Sequence, residues 1–278
     1  MNRSNAEIER ILASFNTPDR AAYPELSQYS RDDMYRDFFG GGGLYLVARM
    51  LRALELQPGQ KVLDLGCGKG ESSVFMVKEG KVQVTALDVW TTAEFLTNKF
   101  AERGVIGSTQ AIQMDVTQAL PFSENEFDAV FCMNSFNFYG AKPGFLAHLL
   151  KHLKPGRRLC IGSEVLSHEF TEQQLANPPV VYAFNLPPPN EHVNVFTGDF
   201  ITQHTPGWWI NFLQASGLLD VKTCYELEDA ESIYQELTRY EYENNIDPFD
   251  VQILLDQLEW GHTHQPHKSL FVLCAQKR

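Results

Sequence analysis

Residues 62–70 read VLDLGCGKG. The apolar residues on both sides of Asp64 predict a buried strand, and the three glycines at alternate positions predict a tight turn. Ser72 and Ser73 follow where a helix should begin. Glycine lets a ligand lie against bare backbone, and the N–H groups at the start of a helix favour an anion. We therefore expect a small ligand that carries a carboxylate or a phosphate to bind here.

Two nucleotide-binding motifs do not fit this stretch. The dinucleotide fingerprint places its third glycine one position later, where this chain has Glu71. The phosphate-binding P-loop needs a longer spacer and a Lys-Ser/Thr pair, which the segment Gly68-Lys69-Gly70 lacks. A nucleotide-dependent oxidoreductase is therefore disfavoured.

Strand and helix patterns alternate after this stretch. We predict strands at 61–65, 82–87, 109–114, 127–133 and 158–162, with helices at 71–79, 92–103 and 143–153. Two more strands are predicted at 219–227 and 270–275. Such alternation is typical of an α/β fold with a Rossmann-like, mostly parallel seven-stranded sheet and helices on both faces. Ligands of these sheets bind beyond the carboxyl ends of the strands.

Polar residues stand at several of those strand ends. Asp88 ends the second predicted strand, Asp115 follows the third, and Asn134 ends the fourth. The Asp88 carboxylate is suited to accept both hydroxyls of a ribose. Asp115 and the Val116 backbone are placed to hydrogen-bond an adenine ring, on which Trp90 is near enough to stack. Asn134 stands beside the glycine turn, where it can hold an ammonium group.

This combination resembles the class I S-adenosylmethionine-dependent methyltransferases, in which an acidic residue precedes a G-x-G-x-G turn. The resemblance covers about residues 44–162, and it implies S-adenosylmethionine as the cofactor and a small molecule as the methyl acceptor. The cofactor-binding residues that it implies are Asp64, Gly66, Cys67, Gly68, Gly70, Asp88, Val89, Asp115, Val116 and Asn134. A weaker resemblance, spread over the second half, is to bacterial methyltransferases of the sarcosine and dimethylglycine methyltransferase group, where a similar helical insert occurs.

The rest of the chain predicts additions to this domain. Residues 1–43 form an N-terminal segment with one amphipathic helix, followed by an aromatic stretch and four glycines that make a flexible joint. The aromatic stretch is either a lid that closes over the ligand, with Tyr29, Tyr35, Phe38 and Phe39, or a surface loop that packs on the core. Residues 44–278 form the main domain, with insertions at about 164–205 and 228–261. The second insertion predicts two helices that either cap the site or form a subunit contact, as in a homodimer.

The composition of the chain disfavours some classes of substrate and binding partner. The formal net charge is −12 in 278 residues, and we see no Lys/Arg cluster, so nucleic acid is disfavoured as a substrate. The sequence has neither a long apolar stretch nor an apolar N-terminal signal region, which predicts a soluble cytoplasmic protein without a membrane partner.

The five cysteines are odd in number and widely spaced, which predicts free thiols, buried where they lie in apolar runs. The spacing of His262, His264 and His267 does not match a zinc site, so no metal is expected.

Methyl transfer from a sulfonium mainly requires alignment, so the sequence compels no single catalytic residue. Glu164, expected at the end of the fifth strand, is the preferred contact for an acceptor amine or hydroxyl, and His204 is a candidate base. The atom that is methylated stays open. A protein that binds S-adenosylmethionine or S-adenosylhomocysteine without methyl transfer is the alternative function.

Overall fold

The computed structural model describes residues 3–176, 203–246, 248–265 and 267–278. In this part of the chain seven strands form one sheet. The strands are β1 Lys61–Leu65, β2 Gln83–Asp88, β3 Thr109–Gln113, β4 Phe127–Met133, β5 Leu153–Leu166, β6 Leu219–Glu226 and β7 Lys268–Lys277. The helices are α1 Asn5–Ala13, α2 Arg31–Tyr35, α3 Gly43–Leu54, α4 Glu71–Gly80, α5 Ala93–Glu102, α6 Phe145–Leu150, α7 Glu172–Ala176, α8 Pro206–Ala215, α9 Ala230–Glu243 and α10 Pro248–Gly261.

The sheet order is β3-β2-β1-β4-β5-β7-β6. Strands β1 to β5 pair in parallel, with Asp64 of β1 opposite Ala86 of β2 and Phe131 of β4. Strand β7 runs antiparallel to both β5 and β6. The carboxyl ends of β1 to β5 and the start of β7 consequently meet at one edge of the sheet. The mostly parallel seven-stranded prediction is confirmed.

Successive strand residues point to opposite faces, and each face has its own core. Val62 packs with α3, α4 and α9 on one face. Its neighbour Leu63 packs with α6 and α8 on the other. Since helices cover both faces, the central strands β1 and β4 are buried on both sides, which explains their nearly continuous apolar sequences. The edge strands β3 and β6 are partly exposed.

The N-terminal segment and the second insertion pack against each other. Ile8 and Leu12 of α1 share a small core with Val251 and Leu255 of α10. Arg239 of α9 also donates hydrogen bonds to backbone carbonyls at the end of α1. The two inserted helices are present as expected, and they pack against α1 and α2 of the same chain. The domain boundaries themselves stay a prediction.

Strand β5 is longer at both ends than its sequence pattern indicated. It begins at Leu153, which pairs with Phe127, and the Pro155 region is accommodated by an irregularity in the pairing with β4. It continues to Leu166 through pairing with β7, so Glu164 lies inside the strand and the expected insertion starts later than residue 164. Most of that insertion, residues 177–202, lies outside the described residues.

All five cysteines are free. Four are buried and Cys224 is half-buried. In the described ranges we find no helix with the length and apolar character that crossing a bilayer requires.

Candidate functional site

The glycine turn after β1 is held against the end of β2. The N–H groups of Gly66 and Cys67 donate to the carbonyl of Leu87 at 2.8 and 3.1 Å. Gly66 has φ +72°, and a Cβ there would lie 2.3 Å from the Ser135 hydroxyl oxygen. Both the backbone conformation and the close approach of the β4 end therefore require glycine.

Asp88 at the tip of β2 holds the same turn. Its Oδ2 accepts the Gly68 N–H at 2.9 Å, and its Oδ1 accepts the N–H groups of Trp90 and Thr91 at 2.8 and 2.9 Å. A carboxylate has about four lone-pair positions, so three are used within the protein. One position on Oδ2 remains, whereas the sequence predicted that Asp88 would take both hydroxyls of a ribose.

Asp64 lies fully beneath the turn. Its Oδ2 accepts the hydroxyls of Ser72 and Ser73 at 2.7 and 2.6 Å, which ties β1 to the first turn of α4. Its Oδ1 is buried without a hydrogen-bond partner in the described chain. Burial raises the pKa of Asp64 to about 6, against the effect of the two serine hydrogen bonds.

Asn134 joins the tip of β4 to the N-terminal segment. It has φ +50°, and its amide nitrogen donates to the carbonyls of Phe39 and Gly41 at 3.0 and 2.8 Å. Its Oδ1 is a second buried oxygen without a hydrogen-bond partner among the described residues. Within the Asn134 side chain only this oxygen could accept from the expected ammonium, because an amide nitrogen donates hydrogen bonds and does not accept them.

The residues predicted to surround an adenine lie at the ends of β2 and β3. Val89 and Trp90 are exposed, with relative accessibilities of 49 and 59 %. Asp115 is also exposed, and its Oδ1 accepts the backbone N–H and the hydroxyl of Thr117, both at 2.8 Å. The Thr117 N–H lowers the pKa of Asp115. Val116 is buried beside it.

Residues 36–41, which we call the strap, lie over the glycine turn. The Phe39 ring is 3.1 Å from where a Cβ on Gly68 would stand. Phe39 is also exposed on its outer side, whereas Tyr35, expected in the same lid, is buried against Glu236. Of these two residues, then, only Phe39 reaches the turn.

The four glycines after Phe39 are not an open joint. Gly41, Gly42 and Gly43 are buried, and a Cβ on Gly41 would lie 2.6 Å from the Tyr234 ring. Close packing against α9, in addition to chain flexibility, accounts for glycine at that position.

Glu164 is half-buried, with its side chain 17 % exposed, and it forms an ion pair. Its Oε2 accepts from Lys268 at 2.9 Å and from Gln203 at 3.4 Å, and its Oε1 accepts from the Tyr234 hydroxyl at 3.0 Å. Burial by itself would raise the pKa of Glu164, but Lys268 lowers it overall. Glu164 is therefore ionised and its charge is largely balanced by Lys268.

His204 lies just beyond the end of β5. Its Nδ1 is 2.9 Å from Oε2 of Glu169, and its ring stacks on Trp208 with centroids 3.8 Å apart. Its carbonyl accepts the Leu166 N–H. Glu169 and Trp208 thus fix the orientation of the imidazole. Nε2 is the ring nitrogen that Glu169 does not contact.

Comparison with known proteins agrees with this geometry. Residues 62–156 match the family described as "Methyltransferase domain". Phosphoethanolamine N-methyltransferase 1 of Arabidopsis thaliana is 28% identical over 142 residues, which is 49% of this chain and 28% of that protein. The match thus spans less than a third of that curated relative. Residues 62–156 of this chain therefore contain a methyltransferase domain.

Solved structures show the same fold around the methyltransferase domain. A putative sarcosine dimethylglycine methyltransferase from Galdieria sulphuraria has a TM-score of 0.65 at 14% identity, covering 84% of each chain. Phosphoethanolamine N-methyltransferase 2 of Haemonchus contortus, in complex with S-adenosyl-L-methionine, has a TM-score of 0.68 at 14% identity, covering 94% of this chain and 60% of that one.

The methyltransferase domain has donors and acceptors that fit S-adenosylmethionine, the cofactor of this class. The unpartnered oxygens of Asp64 and Asn134 are suited to the N–H groups of an ammonium. The first turn of α4 presents N–H groups without intrahelical partners, which suit a carboxylate. The remaining acceptor position on Asp88 suits a hydroxyl.

Sequence reasoning missed several members of the site. Ser135 accounts for glycine at position 66, and Asp37 ties the strap to Lys69 and Lys99. Lys268 and Glu169 are the charged partners of Glu164 and His204. Lys99 and Arg103 stand four residues apart at the end of α5. This spacing places both on one helix face, and it was the one signal in the sequence that pointed to a cluster of charges there. The other partners come from elements distant in sequence and left no such signal.

Proposed function

We propose that this chain transfers the methyl group of S-adenosylmethionine to a small-molecule acceptor. The observation that carries the proposal is the pair of buried oxygens of Asp64 and Asn134, without hydrogen-bond partners among the described residues, beside the glycine turn. When bound, the cofactor supplies an electrophilic methyl group that an acceptor lone pair displaces in line. The rest of the chemistry belongs to the protein, which binds, aligns and excludes water.

Each end of the cofactor has residues that suit it. We assign the ribose to the remaining lone pair of Asp88, which leaves room for one hydroxyl. We assign the adenine to the surface formed by Val89, Trp90, Asp115 and Val116. The amino acid end falls to Asn134 Oδ1 and the start of α4. Cys67, Gly68 and Gly70 would contact the cofactor because the turn lets the ligand lie against their backbone.

Alignment supplies most of the rate in this proposal, because well-oriented reactants gain about 7 to 11 kcal/mol over free ones. The strap would exclude water from above the turn. Glu164, with its lowered pKa, stays ionised and is suited to orient a polar acceptor rather than to take up a proton. His204 is better placed as a base, because Glu169 holds Nδ1 and the other ring nitrogen can receive a proton.

The acceptor is a small molecule in this proposal, in line with the relatives and with the net charge of −12. The homodimer and the cytoplasmic location stay predictions. Packing of α9 and α10 on the N-terminal segment supports the capping arrangement of the second insertion over a subunit contact.

A transfer assay tests the proposal. Purified protein is incubated with methyl-labelled S-adenosylmethionine and separate panels of amines, phenols, carboxylates and thiols. We expect label in one class of acceptor and much less with Asp88→Ala. Asp220→Ala is the matched control, since it removes an exposed carboxylate paired with Arg278. Binding of the cofactor without transfer to any panel would favour the non-catalytic alternative.

His204 is tested in the same assay. His204→Gln should lower kcat by about 10² to 10⁴ if the acceptor loses a proton in the transition state. His148→Gln is the control, because His148 lies on α6 and contacts the Gln118 carbonyl. An unchanged kcat in His204→Gln would reject His204 as the base.

A further inference from the structure

The strap is attached to the site by a cluster of six charged side chains. Asp37 of the strap lies 2.6 Å from Lys99 and 3.4 Å from Lys69, the lysine inside the glycine turn. Asp33, just before the strap, lies 2.9 Å from Arg103. Glu71, the first residue of α4, accepts from both Lys99 and Arg103 at 2.9 and 2.8 Å. The cluster therefore contains three acidic and three basic groups, and their formal charges cancel.

The outer side of this region is fixed more firmly. Tyr35 and Tyr45 both donate to the buried carboxylate of Glu236, at 3.1 and 2.8 Å. Tyr240 donates to Asp32 at 2.7 Å. Breaking these contacts would expose aromatic surface and leave a buried carboxylate without donors, which is costly. Helix α2 therefore stays attached to α3 and α9.

The inner side is more accessible to solvent. A cavity of 510 Å³ borders the charge cluster, and the Asp37 and Lys69 side chains are 25 and 39 % exposed. Water and salt ions can reach the Asp37–Lys69 pair, so this pair is weaker than a buried one and is screened by salt, whereas the Lys99 side chain is only 9 % exposed. Gly40, inside the strap, is exposed and has φ +78°, whereas Gly41 and Gly42 are buried, so any movement is confined to residues 36–40.

We propose that Asp37 is a positioning residue that holds the strap on the glycine turn together with the Asn134 amide, and that breaking its two lysine contacts loosens the strap for cofactor exchange. The gating part of this inference rests on the proposed function. Release of Asp37 would also free Lys69 to meet the carboxylate of a bound ligand. Phe39 moves with Asp37 because only one residue separates them, and its ring leaves Gly68.

Hydrogen exchange on the protein without ligand tests the attachment. Asp37→Asn removes the charge with little change of size. We expect amide exchange in residues 36–40 to rise about two- to fivefold, the range that loss of partly exposed ion pairs gives. Asp37→Glu should restore most of the protection. Asp220→Asn, which breaks a comparable ion pair with Arg278, should leave the strap unchanged. Unchanged exchange of the strap in Asp37→Asn would overturn the proposal.

Stopped-flow release of S-adenosylhomocysteine tests the gating. Release should be faster in Asp37→Asn by a similar factor and should accelerate with salt in the wild type more than in the variant. An increased strap exchange with unchanged release would overturn gating while leaving the attachment supported. A wild type that binds no S-adenosylhomocysteine would overturn both the proposed function and gating, and the exchange result would still decide the attachment.

Discussion

The amide nitrogen of Asn134 donates to the carbonyl of Gly41 at 2.8 Å, which joins the tip of β4 to the strap. The same residue presents a buried oxygen that has no hydrogen-bond partner in the described chain. One side chain thus serves both the cover of the site and the site itself.

Asn134→Asp separates these two roles, because it keeps the oxygen and removes the N–H donors. We expect a loss of about 1 to 3 kcal/mol in the free energy of unfolding, since two carbonyls lose their donor. Chemical denaturation measures it. Asn125→Asp is the control, because Asn125 also has positive φ, +56°. Equal effects of the two substitutions would show that the Asn134 contacts contribute nothing specific.

Gly66→Ala tests the close approach of β4 to the turn. Positive φ alone costs about 1 to 2 kcal/mol for alanine, and the overlap with Ser135 should add about 1 to 3 kcal/mol. Gly217→Ala controls for the first cost, because Gly217 has φ +68° and open space around its Cβ position. We expect the Gly66 variant to unfold more easily than the Gly217 variant and to lose cofactor binding. Thermal unfolding of the two variants side by side measures the difference.

Asp64 makes stability depend on pH in an unusual direction. Its pKa is about 6 in the folded protein and near 3.8 in the unfolded chain, so the folded state binds the proton more tightly. Its favourable contribution is complete below pH 4 and is lost as the pH rises through 6, by about 3 kcal/mol.

The comparison of wild type with Asp64→Asn isolates this effect from other titrating groups. Between pH 4 and pH 7 the unfolding free energy of the variant should improve relative to the wild type by about 2 to 3 kcal/mol. Denaturation curves at a series of pH values measure it. A difference that stays constant over this range would mean that Asp64 titrates normally.

Glu164 and Lys268 form a half-buried ion pair, with side chains 17 and 14 % exposed, whose removal is tested by a double-mutant cycle. Glu164→Gln should cost about 3 kcal/mol, because it leaves the Lys268 charge without its partner. Adding Lys268→Met should recover much of that loss. Since the pKa of Glu164 is lowered, the wild-type advantage should be present above pH 4.5 and decline at more acid pH. Additive single effects would contradict the pairing.

The sequence contains enough information for the sheet and for the position of the turn. Strands β1 and β4 have the predicted bounds because each is a continuous apolar run between polar or turn residues. The strand tips are also predictable, because parallel strands bring Asp88 and Asn134 to one edge. The local sequence pattern is enough to predict both the strand bounds and the strand tips.

The contacts of those residues were harder to predict. The use of three Asp88 lone pairs by backbone N–H groups depends on the path of the turn, and the Asn134 contact depends on a segment more than ninety residues away. Strand β5 was predicted too short because Pro155 usually ends a strand, whereas here the pairing with β4 tolerates an irregularity. The sequence leaves Tyr35 open between a lid and a loop packed on the core, because its acceptor, Glu236, lies in a distant helix.

The central claim is that the turn after β1, with Asp88 beside it, binds an adenosyl amino acid. Isothermal titration of the folded wild type with S-adenosylhomocysteine tests it most directly. We predict saturable binding at one site per chain, weakened by at least about 1.5 to 3 kcal/mol in Asp88→Ala, which loses one hydrogen bond to the ligand and the three that hold the turn. A titration of folded protein that shows only heat of dilution would contradict the account.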